Sequence, residues 1–231
     1  MFMKKSLLMS LAALLCFSLL AADSTPKETV EAGIKTLAEK ANYSWKATTV
    51  VPEDAPFKPG PVEGQAEKEG FTYVKLATFG DNNMEMLKKG DKVAASTQDG
   101  WKTPKEMESD EGFGRFIGMM AKNFKAPAEQ AKQALSFTKE LKKDGESFAS
   151  DLTEEGAKTM LAFGGATVTN PKGSVKFWLK DGVLTKYEIK LKATMSFNGN
   201  DFENDRTTTT EIKEVGTTKV TVPEEGKKKI S

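Results

Sequence analysis

Residues 185–197 constrain the fold of this chain more than any other stretch. Tyr187, Ile189, Leu191, Ala193, Met195 and Phe197 alternate without a break with Lys186, Glu188, Lys190, Lys192, Thr194 and Ser196. That is the two-residue period of a β-strand with one apolar and one polar face. At about 3.4 Å per residue the run reaches roughly 44 Å, well beyond an average strand. A strand of that length with one solvated face belongs to a large, curved antiparallel sheet. Asp181-Gly182 precedes it, a two-residue hairpin signal, and Val175, Phe177 and Leu179 alternate on the far side of that turn.

The rest of the chain supplies more strands and a cover. Ser24-Thr25-Pro26 with Glu28 starts a helix that Val30, Ile34, Leu37 and Ala41 carry through about Asn42. Tyr43, Trp45, Ala47 and Thr49 then read as a half-buried strand. Four prolines at 52, 56, 59 and 61 make 51–62 a surface loop. Short strands punctuated by Gly70, Gly80, Lys89-Gly90-Asp91 and Asp99-Gly100 form a meander over 63–103. Between 105 and 165 the pattern turns helical. Phe113, Phe116, Ile117, Met120 and Phe124 form one stripe, and Pro127 opens a second helix, from Ala128 to about Lys142. Phe148 to Leu152 reads as a short strand, and Thr153-Glu154-Glu155 caps another helix. Arg206–Val215 and Thr217–Val222 read as strands, and Glu224–Ser231 as a polar tail. Strands on both sides of a helical insertion imply an α+β fold with one sheet covered on one face by helices.

Composition narrows the function. The 231 residues contain no histidine and one cysteine. Ser-His-Asp and Cys-His catalysis and histidine-ligated metals are thereby excluded. Residues 1–22 read as a signal peptide: Lys4 and Lys5, then an apolar run from Leu7 to Leu20, then Ala21-Ala22 before Asp23. The lone Cys16 sits in that run behind Leu14-Leu15, which lack the small residue of a lipidation signal, and it would leave with the peptide. Cleavage leaves 32 basic against 33 acidic residues, with Arg115 and Arg206 as the only arginines. That balance gives no case for nucleic acid. After cleavage nothing in the sequence marks an integral membrane protein, and the expected location is periplasmic or secreted.

Candidate chemistry is sparse. Residues 198–205 (Asn-Gly-Asn-Asp-Phe-Glu-Asn-Asp) gather oxygen donors, but their spacing is that of a hairpin tip and not of a calcium loop. Gly112-Phe113-Gly114-Arg115-Phe116-Ile117-Gly118 lacks the Lys-Ser/Thr of a phosphate loop and reads as an aromatic helix over a core or an apolar cavity. Acids are plentiful, yet no motif pairs two of them for hydrolysis. Met84, Met86, Met107, Met119, Met120, Met160 and Met195 suit either gap-filling or a surface for varied apolar ligands. No catalytic residue, metal site or cofactor is expected.

The layout resembles the periplasmic lipoprotein-carrier superfamily (LolA/LolB-like, including the LppX/LprG-like lipid-binding proteins). The pieces that carry the resemblance are the N-terminal helix running into Tyr43-Ser44-Trp45-Lys46, Asp99-Gly100-Trp101, and Lys180-Asp181-Gly182-Val183-Leu184-Thr185-Lys186. It spans about 26–222 as architecture. It implies an unclosed half-barrel of curved antiparallel sheet, with helices covering a concave face that holds acyl chains. The expected organisation is a signal peptide over 1–22, one half-barrel domain over 23–222 and a polar tail over 223–231. The expected function is non-catalytic binding of a hydrophobic ligand, a lipid or the acyl chains of a lipoprotein. Trp45, Phe113, Phe116, Ile117, Met120, Phe124, Tyr187, Ile189, Leu191 and Met195 are the candidate cavity residues. The competing reading is a structural or interaction module of the cell envelope, with a filled core and an envelope protein as its partner.

Overall fold

The computed structural model describes residues 24–55, 58–77, 83–162, 165–197 and 199–231. The signal-peptide reading of 1–22, Cys16 and the turn at Gly80 lie outside the described residues. Helix α1 (Pro26–Ala38) is followed by a meander of β1 (Asn42–Val50), β2 (Val62–Glu67), β3 (Thr72–Ala77), β4 (Asn83–Lys89), β5 (Lys92–Thr97) and β6 (Gly100–Lys102). Helices α2 (Phe113–Asn123) and α3 (Pro127–Ser136) come next, then the small hairpin β7 (Lys142–Asp144) and β8 (Ser147–Asp151), then α4 (Glu154–Leu161). The long strands β9 (Thr167–Lys180), β10 (Val183–Phe197) and β11 (Asn200–Lys213) follow, and α5 (Glu224–Ile230) closes the chain.

All eleven strands join one antiparallel sheet, in the order β6-β5-β4-β3-β2-β1-β11-β10-β9-β8-β7. The ends β6 and β7 do not pair, so the sheet is an unclosed half-barrel. β10 behaves as its alternation dictates: Tyr187, Ile189, Leu191, Ala193 and Met195 are buried. Asp181 and Gly182 both take positive φ (51° and 72°) in the hairpin that feeds it. The inward residues of β1, β4, β5, β9, β10 and β11 join the buried faces of α1, α2, α3 and α4 in one core. α1 is opened by a reciprocal cap. The Glu28 backbone N–H donates to Thr25 Oγ1 at 3.3 Å, and the Thr25 N–H donates to Glu28 Oε2 at 2.8 Å. Gly33 lets α1 sit close on the sheet, since a Cβ there would lie 2.3 Å from Leu179 Cδ2.

The structure corrects several expectations. The first helix stops at Ala38, short of Asn42. The helix drawn to Lys142 ends at Ser136, where Phe137 caps it and the Thr138 hydroxyl turns back to the Leu135 carbonyl. Asp144-Gly145 is a hairpin turn between β7 and β8, with Gly145 at φ 60°. β9 begins at Thr167, well before Val175; its bulge near Asn170 (φ 52°) and Pro171 lies beyond the reach of β8, which pairs only from Ser174 onward. There Pro171 leaves no ladder donor missing. Residues 217–222 form no strand, because Glu214 and Gly216 take positive φ and fold the chain back on itself.

The C-terminal segment is not a tail. It forms α5, whose Ile230 is 2% exposed and packs with Tyr73, Leu87 and Ala94. These three neighbour Val74, Met86 and Ala95, which belong to the inner core, so α5 lies on the opposite, outer face of the sheet. A Cβ at Gly226 would lie 2.9 Å from the Trp101 ring, so glycine lets the helix rest on the indole. Lys229 Nζ reaches Glu106 at 2.6 Å, and Lys92 Nζ donates to the Ser231 carbonyl at 3.0 Å.

Candidate functional site

The core does not fill the concavity. A cavity of about 1310 Å³ remains between the inner face of the sheet and helices α2, α3 and α4. Strand parity builds its floor. On β1, Trp45, Ala47 and Thr49 share one side with Val62 of β2, Leu76 of β3 and Met86 of β4, and all six line the cavity. Tyr187 of β10 and Thr208 and Thr210 of β11 continue the floor. Met119, Met120 and Phe124 descend from the end of α2, and Met160 and Ala166 from α4 and the segment after it. Gly64 sits beneath Trp45: a Cβ there would come 2.1 Å from the indole, so only glycine on β2 leaves the ring its place. Tyr43 braces that ring from the same strand, with centroids 5.9 Å apart.

Polar groups sit at two levels. The exposed Lys122, Lys125 and Lys132 line the mouth, with Glu129 as the only acid among the described lining residues. Glu129 is paired with Lys88 at 3.4 Å. Deeper, the Tyr187 hydroxyl donates to Gln130 Oε1 at 2.5 Å and ties the floor to α3. Burial pushes the Tyr187 phenol well above its ordinary pKa, and neighbouring Tyr43 adds to the shift. The Thr210 hydroxyl, buried and without a hydrogen-bond partner of acceptable geometry, is near enough to oppose it in part. Burial likewise raises Tyr43 to about 12. Both phenols are neutral at physiological pH, so the floor offers apolar surface and uncharged hydroxyls.

The structure brings together four of the expected residues: Trp45, Met120, Phe124 and Tyr187 line the cavity. Ile117, Ile189, Leu191 and Met195 are buried in the core but do not reach the cavity wall. Phe113 and Phe116 lie outside it, 58% and 38% exposed, with their rings stacked 5.9 Å apart. The reason is how α2 is seated. Gly118 rests on Met107, where a Cβ would be 2.9 Å from the Met107 Cβ. The buried face of α2 is therefore Ile117, Gly118 and Ala121, and the first-turn aromatics overhang. Of the methionines, Met86, Met119, Met120 and Met160 line the cavity, while Met84, Met107 and Met195 pack in the core.

Ala47, Val62, Leu76, Thr208 and Thr210 join them at the cavity wall. Val62 and Leu76 sit on strands of six residues and Thr208 and Thr210 carry no apolar signal, so their inward parity is legible only once the strand order is known. In the 198–205 stretch, Asn198 lies outside the described residues. Glu203 accepts from Thr194 Oγ1 at 2.7 Å and Asp205 pairs with Lys192 at 3.2 Å, so these acids spread along β11 and do not converge. The glycine-rich 112–118 stretch is the first half of α2, entered through Gly112 at φ 58°.

No family model and no curated protein matches the chain. Among solved structures it is similar to LprF from Mycobacterium bovis, with 9% identity over 87% of this chain and 97% of that one, at a TM-score of 0.47. It is similar to the Mycobacterium tuberculosis lipoprotein LppX, with 9% identity over 86% and 98% and a TM-score of 0.49. A LolA superfamily protein from Nitrosomonas europaea matches with 9% identity over 86% and 96%, at a TM-score of 0.37. The likeness is one of architecture. Among the described residues no helix is long and apolar enough to cross a membrane.

Proposed function

We propose that this chain is an exported, non-catalytic protein that holds a hydrophobic ligand, a lipid or the acyl chains of a lipoprotein, between its sheet and its helices. The cavity is the observation that carries this reading. Its volume of about 1310 Å³ exceeds the ~300–1,000 Å³ of sites for drug-sized ligands. Tryptophan, valine, leucine and methionine side chains line its floor, and adaptable methionines hang from its roof. Burial of about ten methylenes is worth about 8 kcal/mol gross. Association alone costs about 4–15 kcal/mol, so long or multiple chains are favoured over short ones.

Mass spectrometry of an organic extract from the purified protein tests the proposal, together with displacement of a fluorescent fatty acid. Co-purifying acyl lipid and saturable displacement are the expected results. Protein that carries no lipid and displaces no probe contradicts the proposal, and a partner captured by such lipid-free protein favours the interaction module.

A further inference from the structure

The inward face of β11 differs from that of its neighbour β10. β10 presents Tyr187, Ile189, Leu191 and Ala193; directly across the ladder β11 presents Thr210, Thr208, Arg206 and Asn204. Residues opposite one another in an antiparallel pair share a face, so this polar stripe runs along the inside of the half-barrel. Two contacts agree: Thr208 and Thr210 line the cavity, and Asn204 Nδ2 lies 3.4 Å from Sδ of the buried Met195. The acids of the same strand fall on the other parity, with Asp205 and Glu203 bound to Lys192 and Thr194 of the outer face. Arg206 is therefore turned away from every carboxylate of its own strand.

It is also left without a counter-charge. Arg206 is half-buried and makes no hydrogen bond or ion pair among the described residues. Burial alone lowers its pKa from the ordinary value, with no compensating acid. Arginine does not escape by losing its proton, and the half-buried guanidinium keeps only part of its water with no protein partner in exchange. Beside it, Asn204 Oδ1 is buried with no donor. Arg206 lies two residues, about 7 Å, beyond Thr208 at the cavity wall. The mouth lysines are a different case: Lys122, Lys125 and Lys132 are exposed, so water satisfies them when nothing is bound.

We infer that the inward stripe of β11 is the polar end of the ligand site, where the Arg206 guanidinium receives the anionic group of an amphiphile, a phosphate or carboxylate, whose chains occupy the cavity. The inference rests on the acyl-ligand reading and extends it from chains to headgroup. The planar guanidinium offers paired donors to a phosphate or carboxylate, and Asn204 Oδ1 is placed to accept from a hydroxyl next to that anion. A neutral lipid would leave both groups as they are now.

The test compares ligands matched in their chains. Full-length protein is titrated with dipalmitoyl phosphatidylglycerol, palmitate, dipalmitoylglycerol, hexadecanol and inorganic phosphate, as wild type, Arg206→Gln, Arg206→Lys and the triple variant Lys122→Gln/Lys125→Gln/Lys132→Gln. Wild type binds phosphatidylglycerol at least about tenfold more tightly than dipalmitoylglycerol, the scale of a charge-assisted contact. Arg206→Gln removes that preference while leaving dipalmitoylglycerol binding in place and without lowering the thermal unfolding temperature. Arg206→Lys, which keeps the charge but not the planar fork, retains only part of the preference, and the triple lysine variant keeps it. The preference for palmitate over hexadecanol, its single-chain neutral match, set beside that for phosphatidylglycerol over dipalmitoylglycerol tells carboxylate from phosphate. Equal binding of the charged and neutral lipids overturns the headgroup site and leaves the acyl reading standing. Loss of the preference in the lysine variant but not in Arg206→Gln does the same. Competition by inorganic phosphate as strong as by the lipid overturns it in favour of a free anion, and no binding of any lipid overturns both.

Discussion

The two halves of the sheet solve the same problem differently. β9, β10 and β11 run 14 or 15 residues; β10 buries one face against the core, while Lys186, Glu188, Lys190 and Lys192 stand on the other, outer face. β3, β4 and β5 run six or seven residues and bury both, the inner face under the core helices and the outer one under α5. A strand solvated on one side writes its environment as alternation. A strand covered on both sides does not, and its outer cover comes from a distant segment with a single large apolar anchor, Ile230. The long half forms a continuous wall, and the short half is held by a clasp.

The largest effect expected from this contrast is on the wall. Phe177 is fully buried on β9, so Phe177→Ala should cost about 3–5 kcal/mol in urea unfolding, a large fraction of a domain's stability. The clasp comes next. Ile230→Ala should cost about 2 kcal/mol and raise amide exchange in β3–β6 while sparing β9–β11. A uniform rise across the sheet would break the contrast. Thr25→Ala removes the cap of α1, which lies over β9 and β10, and should cost about 1 kcal/mol without altering exchange in β3–β6.

The smallest effect is a pH dependence confined to the clasp. Lys229, together with the backbone N–H and hydroxyl of Thr103, holds the Glu106 carboxyl down at about 2 against an ordinary 4.5. For a depressed carboxylate, the stabilisation is complete above the unfolded value and is lost as the pH falls through the folded one. Exchange protection of α5 should therefore weaken from about pH 4.5 toward 2, and Glu106→Gln should flatten that profile. An unchanged profile in Glu106→Gln would assign the acid sensitivity elsewhere.

What was legible in the sequence follows from the same contrast. The Tyr187–Met195 alternation, the Asp181-Gly182 turn and the Thr25–Glu28 cap are local signals, and they placed β10, its hairpin and α1. β9 shows its alternation only from Val175; the stretch before it, with Asn170-Pro171, does not alternate, and only the strand order shows that no ladder bond is lost there. α5 was read as a tail because Glu-Glu-Gly-Lys-Lys-Lys-Ile carries no helical period; Gly226 and Ile230 gain meaning from Trp101 and Leu87. Of the residues lining the cavity, Trp45, Met120, Phe124 and Tyr187 stand on apolar stripes legible in the sequence. Phe113 and Phe116 were placed there because a stripe shows that a helix has a buried face, not where its first turn ends. Arg206 was invisible as an inward residue, since its side follows from register with Leu191.

The central claim is that acyl chains enter the space beside Trp45. Quenching of tryptophan emission by a bromine-labelled stearate measures this directly, because the quencher acts only at contact range. Of the three tryptophans, only Trp45 lines the cavity; Trp101 packs against α5, and Trp178 lies under Lys186, 3.8 Å from its ammonium, on the outer face. The account predicts saturable quenching in wild type that disappears in Trp45→Phe while Trp101 and Trp178 keep their emission. Quenching that persists in Trp45→Phe, or that never saturates, would contradict it.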